Sequence, residues 1–210
     1  MIKLTCKIPS KVVLACSGGK DSMSALEFLV RGRRDVTAAY FNHDTPHGDE
    51  AEVFLRNFCD RQKIPFVSER YIHKDARKEP TEASWREARY EFLASLGLPI
   101  ITAHHLKDAV EWWIFSSLRG SPSLIAPTRE DIPVLRPFMT TPPEDLHKHF
   151  GSYEHIEDPT NAETKFTRNF IRHEILPKTL RVNPGIYTTV RNMYEKRSDL
   201  DKKSSTSWED

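Results

Sequence analysis

The run Ser17-Gly18-Gly19-Lys20-Asp21-Ser22 follows an apolar stretch, Val12 to Cys16, and opens a segment with helical periodicity. Two glycines let the backbone approach an anion closely, while helix N-terminal amides and the hydroxyls of Ser17 and Ser22 donate hydrogen bonds to it. The run therefore reads as a phosphate cradle, with spacing that matches neither the Walker A loop nor the dinucleotide fingerprint. An ordinary strand-to-helix turn also uses Gly, Ser and Asp, but does not require two glycines, two hydroxyls and an acid together. Asp21 is the acid nearest the cradle.

Other candidates fall at the ends of expected strands. Asp108 and Glu111 are three apart on an expected helix and share a face. Two acids there can hold a cationic amine, and one can take its proton; a solvated acidic face, with Trp112 and Trp113 burying the neighbouring side, is the alternative. His104 and His105 are placed to contact phosphate or ribose, or simply to satisfy backbone groups. Asn42-His43 closes another strand, where an adenine or ribose contact and a plain turn are both natural. Arg168 and Arg172, four apart, present paired guanidiniums suited to phosphate, or else ion pairs with Glu174 or Asp158. Cys6, Cys16 and Cys59 are scattered, with no CxxC pair, which argues against a disulfide framework or a cysteine-built metal site. Cys16 reads as a small core residue.

Positioning these groups requires strands alternating with helices. Val12–Cys16, Val36–Phe41, Phe66–Val67 and Ile100–Ala103 read as strands. Helices are expected over Ser22–Val30, Glu50–Gln62, from after Thr81 to about Leu96, and over Lys107–Leu118. That alternation predicts an α/β fold, a Rossmann-like parallel sheet with helices on both faces, binding ligands at the carboxyl ends of its strands. Beyond Gly120 prolines punctuate the chain; Ile132–Leu135 is a strand candidate, and helices are expected near Pro143 and from about Lys165 to Leu180. The organisation read from this is an α/β domain over 1–150 that carries the phosphate cradle, a short basic helical extension over 151–197 and a flexible polar tail over 198–210.

Composition excludes some classes. With 38% hydrophobic residues in 210, the chain is neither disordered nor fibrous, and its apolar runs fall far short of the roughly 20 residues of a spanning helix. The first residues contain no apolar secretory core, so the cytoplasm is the expected address. The net charge of +1 hides an asymmetry: residues 161–197 carry eight Lys/Arg against three acids. A polyanion is a natural partner for that segment, and a solvated helical face is the alternative.

Ser17 to Ser22 resembles the PP-loop of the ATP pyrophosphatases, which bind ATP and transfer AMP to a carbonyl oxygen. Three further stretches resemble the tRNA(Ile)-lysidine synthetases: Ala103-His104-His105-Leu106-Lys107-Asp108-Ala109-Val110-Glu111; Glu82-Ala83 with Arg86-Glu87-Ala88-Arg89-Tyr90; and Glu157-Asp158-Pro159-Thr160-Asn161 followed by Arg168-Asn169-Phe170-Ile171-Arg172-His173-Glu174-Ile175-Leu176-Pro177. The resemblance spans roughly residues 11 to 178. It implies ATP and Mg²⁺ as cofactors, with Asp21 toward the metal, and an isoleucine tRNA with a CAU anticodon and free lysine as substrates. The wobble cytidine would be adenylated at its 2-carbonyl oxygen, and the lysine ε-amine would then displace AMP. On this reading Asp21, Asp108, Glu111, Arg168 and Arg172 carry the chemistry, while Ser17 to Ser22, Asn42, His43, His104 and His105 bind ATP.

The sequence departs from the family pattern at three places. Lys107 replaces an acid, Asp44-Thr45-Pro46-His47-Gly48 replaces the usual continuation after Asn42-His43, and Ser121 to Pro127 replaces a glycine-rich loop. The additional C-terminal domains of many relatives are not expected here, which makes a compact form. The competing functions are another PP-loop RNA-modifying enzyme, using a different amine or thiolating cytidine, and a non-catalytic ATP- or RNA-binding protein.

Overall fold

The structure is a computed structural model that describes residues 2–72, 81–129 and 131–205. Five parallel strands, β1 (Lys11–Ala15), β2 (Asp35–Asn42), β3 (Phe66–Arg70), β4 (Ile100–Thr102) and β5 (Val134–Leu135), form one sheet in the order β3-β2-β1-β4-β5. The α/β sheet expected from the sequence is the observed fold. β1 lies between β2 and β4, with Val13 opposite both Thr37 and Ile100. The chain steps one way from β1 to β3 and the other way from β4 to β5. The loops leaving β1 and β4 therefore diverge, opening a crevice at the carboxyl ends of these two strands.

Side-chain alternation assigns the layers. Val12 and Leu14 join Met23, Leu26 and Leu29 of α1 (Lys20–Arg31), Leu55 and Phe58 of α2 (Pro46–Gln62) and Leu146 of α5 (Pro143–Phe150) in one core. Val13 faces the other way, with Phe41, Ile100 and the Tyr90, Phe92 and Leu93 side chains of α3 (Glu82–Ser95). A third cluster joins Leu106, Val110 and Ile114 of α4 (Leu106–Leu118) to Ile171, Leu176, Ile186, Val190 and Tyr194.

Several elements differ from expectation for identifiable reasons. The stretch that departs from the family pattern, 44–48, is a helix start: Thr45 caps α2 by accepting from the Gly48 amide at 3.0 Å, and Pro46 occupies the first turn. Gly48 is required there, because an added Cβ would lie 2.5 Å from Asn42 Oδ1. The helix expected over 165–180 divides into α6 (Thr167–Phe170), a π turn (Ile171–Ile175) and α7 (Leu176–Val182). Pro177 lacks the N–H that an unbroken helical ladder needs. A further helix, α8 (Ile186–Ser205), lies beyond the individual helices expected to about Leu180, largely within the segment read as a helical extension over 151–197. Its Ile186, Val190 and Tyr194, four apart, are buried against α4. The backbone of α8 runs to Ser205, into the stretch read from sequence as a polar tail over 198–210; residues 206–210 lie outside the described set. Trp112 does not bury a neighbouring side as expected: it is partly exposed on the outer face of α4. No helix among the described residues is long and apolar enough to cross a membrane.

Candidate active site

The loop after β1 is organised by its own hydroxyls. Ser22 Oγ donates to the Gly19 carbonyl at 2.9 Å and accepts from the Ser17 amide at 3.2 Å, while Ser17 and Ser22 Oγ lie 3.3 Å apart. Gly18 has φ +80°, a left-handed conformation that suits glycine, and a Cβ there would meet Ile156 Cγ1 at 3.1 Å. No side chain caps the N-terminus of α1, so its leading amides keep their hydrogen-bonding capacity. A strap over 151–163 roofs the loop. Glu27, fully buried on α1, accepts from the Ser152 amide at 2.8 Å and its hydroxyl at 2.5 Å, and the Ile156 amide donates to the Gly18 carbonyl at 3.0 Å.

The loop borders a cavity of about 810 Å³, within the range of small-molecule sites. Ser17, Gly19, Lys20, Asp21 and Ser22 line it, with His43, His104, Asp108, Arg168 and Arg172. Gly18, Asn42, His105 and Glu111 stand behind this lining. Asn42 is occupied structurally: its Nδ2 donates to Asp49 at 2.8 Å and Glu52 at 3.0 Å, and its Oδ1 accepts from the Asp44 amide. His43 is partly buried against Phe41 and Trp85, and its buried Nδ1 lacks a protein partner. Burial, aided by the nearby Arg89 charge, lowers its pKa to about 4. His104, bonded to Thr102 Oγ1 at 2.8 Å, is likewise held neutral, its pKa lowered by burial to about 4.

A chain of alternating charge runs from the loop to the far wall. His147 of α5 lies 2.7 Å from Asp21 Oδ1, and His105 Nε2 lies 3.4 Å from Asp21 Oδ2. His105 Nδ1 is 3.3 Å from Asp108 Oδ2, and the His105 amide donates to the same oxygen at 2.8 Å. Burial opposes ionisation of Asp21, but His105 and His147 outweigh it and lower its pKa. His105 goes the other way: burial opposes its protonation, yet Asp108 and Asp21 prevail and raise its pKa.

Asp108 and Glu111 are not a solvated face; they are 7% and 2% exposed. Arg172 grips Glu111 with two bonds, Nε to Oε1 at 2.7 Å and Nη2 to Oε2 at 3.0 Å. Arg168 pairs with Asp108 and places its Nε 3.4 Å from Glu111. The alternative partners are engaged elsewhere: Asp158 accepts from Thr160, and Glu174 lies 3.5 Å from Lys178. Burying one guanidinium and two carboxylates requires this mutual compensation.

Sequence reasoning missed three contributors. His147 sits among ordinary helix residues and carries no local signal. Ile156 matters only through the strap. Arg89 fell within a recognised stretch without a role; it borders the cavity, and its buried Nε has no protein partner. The unpartnered His43 and Arg89 nitrogens, the open amides of α1 and the glycine approach suit a nucleotide with its phosphates on the loop. Asp21 is the loop's carboxylate, and Mg²⁺ typically takes one or two carboxylates together with substrate phosphates, so this donor set fits that ion.

Residues 3–179 match the PP-loop domain family. The chain is 30% identical to the tRNA(Ile)-lysidine synthase of Petrotoga mobilis, a match covering 92% of this chain and 72% of that protein. It is 30% identical to those of Lactiplantibacillus plantarum, over 90% of this chain and 46% of that one, and Thermotoga maritima, over 85% and 47%. The chain thus spans under half the length of the latter two relatives. Among solved structures it is similar to an NH3-dependent NAD synthetase from Campylobacter jejuni, with 14% identity, a TM-score of 0.46, and coverage of 90% of this chain and 86% of that one. On the residues matched and the relatives found, the chain belongs to the tRNA(Ile)-lysidine synthase family of PP-loop proteins.

Proposed function

We propose that this protein is an ATP-dependent tRNA(Ile)-lysidine synthetase acting on the wobble cytidine of a CAU-anticodon isoleucine tRNA. The observation that carries the reading is the meeting of the Ser17–Ser22 loop and the Asp108/Glu111–Arg168/Arg172 cluster on one cavity. ATP phosphates rest on the α1 amides and the loop hydroxyls, with Asp21 toward Mg²⁺, which neutralises departing pyrophosphate when bound. The cytidine 2-carbonyl oxygen attacks the α-phosphorus, the α–β phosphoanhydride bond breaks, and pyrophosphate leaves. Charge building on the phosphoryl oxygens is met by Lys20 and by Arg168, both of which face the cavity.

The lysine ε-amine then attacks C2, a carbon–nitrogen bond forms, and AMP departs with the oxygen. Asp108 borders the cavity while Glu111 lies behind it, so their roles divide. Burial works against its charge, but His105 and Arg168 keep Asp108 ionised, so it holds the ammonium and takes its proton as the bond forms. Glu111 orients both arginines. The test is one reaction containing protein, ATP, Mg²⁺, radiolabelled lysine and the tRNA transcript. Label entering the RNA, and lost in Asp21→Ala, is expected. ATP cleaved to AMP with a different amine or RNA, and no label from lysine, would overturn the substrate assignment and favour another RNA-modifying PP-loop enzyme.

A further inference from the structure

Phe166 and Phe170 are one helical turn apart at α6, and both are half exposed, at 43% and 46%. Exposing two phenyl rings side by side is costly unless something covers them. Each has a neighbour committed to the cavity: Arg168 and Asn169, between them in sequence, line it. Asn169 also fixes the strap, donating to the carbonyls of Thr160 at 2.8 Å and Glu163 at 3.1 Å. The rings are therefore set on a rigid turn whose other side forms the cavity wall. Lys165 adds a cation, its Nζ 5.1 Å from the centre of the Phe166 ring, within a segment dense in Lys and Arg; it pairs with Glu163 on the exposed surface, a partner that an RNA phosphate would have to displace.

Flat apolar rings beside cations suit unpaired nucleobases on a phosphate backbone, where stacking supplies affinity without sequence demands. We infer that Phe166 and Phe170 form a stacking platform for unpaired RNA bases flanking the one inserted into the cavity. The inference rests on the function proposed above, because that function requires a single anticodon base to leave its neighbours and enter the pocket. A helix is about 10 Å across, so bases one or two nucleotides from the inserted one reach the outer side of α6. Lys165 meets the connecting phosphate.

The test uses a hairpin RNA with a CAU loop in which 2-aminopurine replaces the adenine next to the cytidine, titrated with the full chain. Wild-type protein is expected to bind and to quench the probe. Phe166→Ala and Phe170→Ala should each weaken binding about ten-fold and relieve the quench. Phe166→Tyr and Phe170→Tyr should retain both, and ATP affinity should stay unchanged throughout. Thermal unfolding of each variant separates a lost platform from a lost fold. Binding and quenching that survive both alanine substitutions in folded protein would overturn the platform and leave the proposed function standing. Phenylalanine-dependent binding to other unpaired RNA, with none to the CAU hairpin, would support the platform and overturn the isoleucine tRNA assignment. Binding to no RNA would overturn both.

Discussion

On one side of the cavity, the proposed phosphate site is six consecutive residues, Ser17 to Ser22, which offer backbone amides, two hydroxyls and a left-handed glycine. On the other side Asp108, Glu111, Arg168 and Arg172 meet across sequence separations of 60 and 61 positions, and each ion is compensated by another. The first side depends on local geometry and is strained by a Cβ at Gly18; the second depends on the packing of α4 against the C-terminal helices and tolerates no missing charge. A substitution on the loop side should thus impair ATP handling with the fold largely retained, whereas one on the charged side should first cost stability.

Asp21→Ala should produce the largest effect on activity, lowering pyrophosphate release by roughly 100-fold or more, as expected when a group stabilising transferring charge is removed. Its urea midpoint should fall less than that of Glu111→Ala, since Asp21 gives up only its two histidine contacts; an equal or larger fall would erase the contrast between the two sides. Glu111→Ala should cost on the order of 3 kcal/mol of unfolding free energy, because the partly buried Arg172 loses both of its close bonds and keeps only Asp108, at 3.6 Å. Pairing it with Arg172→Met should recover part of that loss, and a strictly additive double variant would sink the coupling. Gly18→Ala should cost about 1–2 kcal/mol from its left-handed backbone, and should raise KM for ATP as Ile156 and the strap are pushed away.

The pH dependence of stability sharpens the comparison further. His43 and His104 have pKa values near 4 in the folded chain against an ordinary 6.5, so the folded state binds fewer protons than the unfolded one between these values. Their contribution is complete above pH 6.5 and is lost as pH falls toward 4. His105 has the opposite sign: its raised pKa adds stability below the unfolded value, lost as pH rises through the folded one. Urea midpoints measured from pH 7 to 4 should fall, and His104→Asn should flatten the slope. The smallest effect is expected for His147→Ala, a several-fold rise in KM for ATP as Asp21 loses one partner. His147→Gln, which keeps a donor, should restore it.

What the sequence revealed follows the same divide. The parallel sheet was legible because Val12–Cys16, Val36–Phe41 and Ile100–Ala103 are short buried runs separated by helical periodicity. The phosphate loop was legible because its chemistry is contiguous. The mutual pairing of the arginines with Asp108 and Glu111 was not, since residues alone offered Glu174 and Asp158 as nearer partners. Asn42 looked like a ligand contact from its place at the end of β2, yet the start of α2 claims its side chain. The 171–175 π turn was hidden because the hydrophobic pattern of 165–180 is compatible with a regular helix, and only Pro177 hints otherwise. His147 and Ile156 were invisible, because their contacts arise from tertiary structure and from no local pattern.

The strap over the phosphate loop bears on how a ribosome-bound chain matures. β1 and its loop emerge early, but the roof supplied by Ile156, and the Glu27 anchor that secures Ser152, arrive only after the whole sheet has been synthesised. A nascent chain ending before residue 156 carries the glycines without the cover that sets their shape. If the loop holds ATP as proposed, nucleotide capture is expected only after these distant segments have docked, and ATP would then stabilise the docked chain.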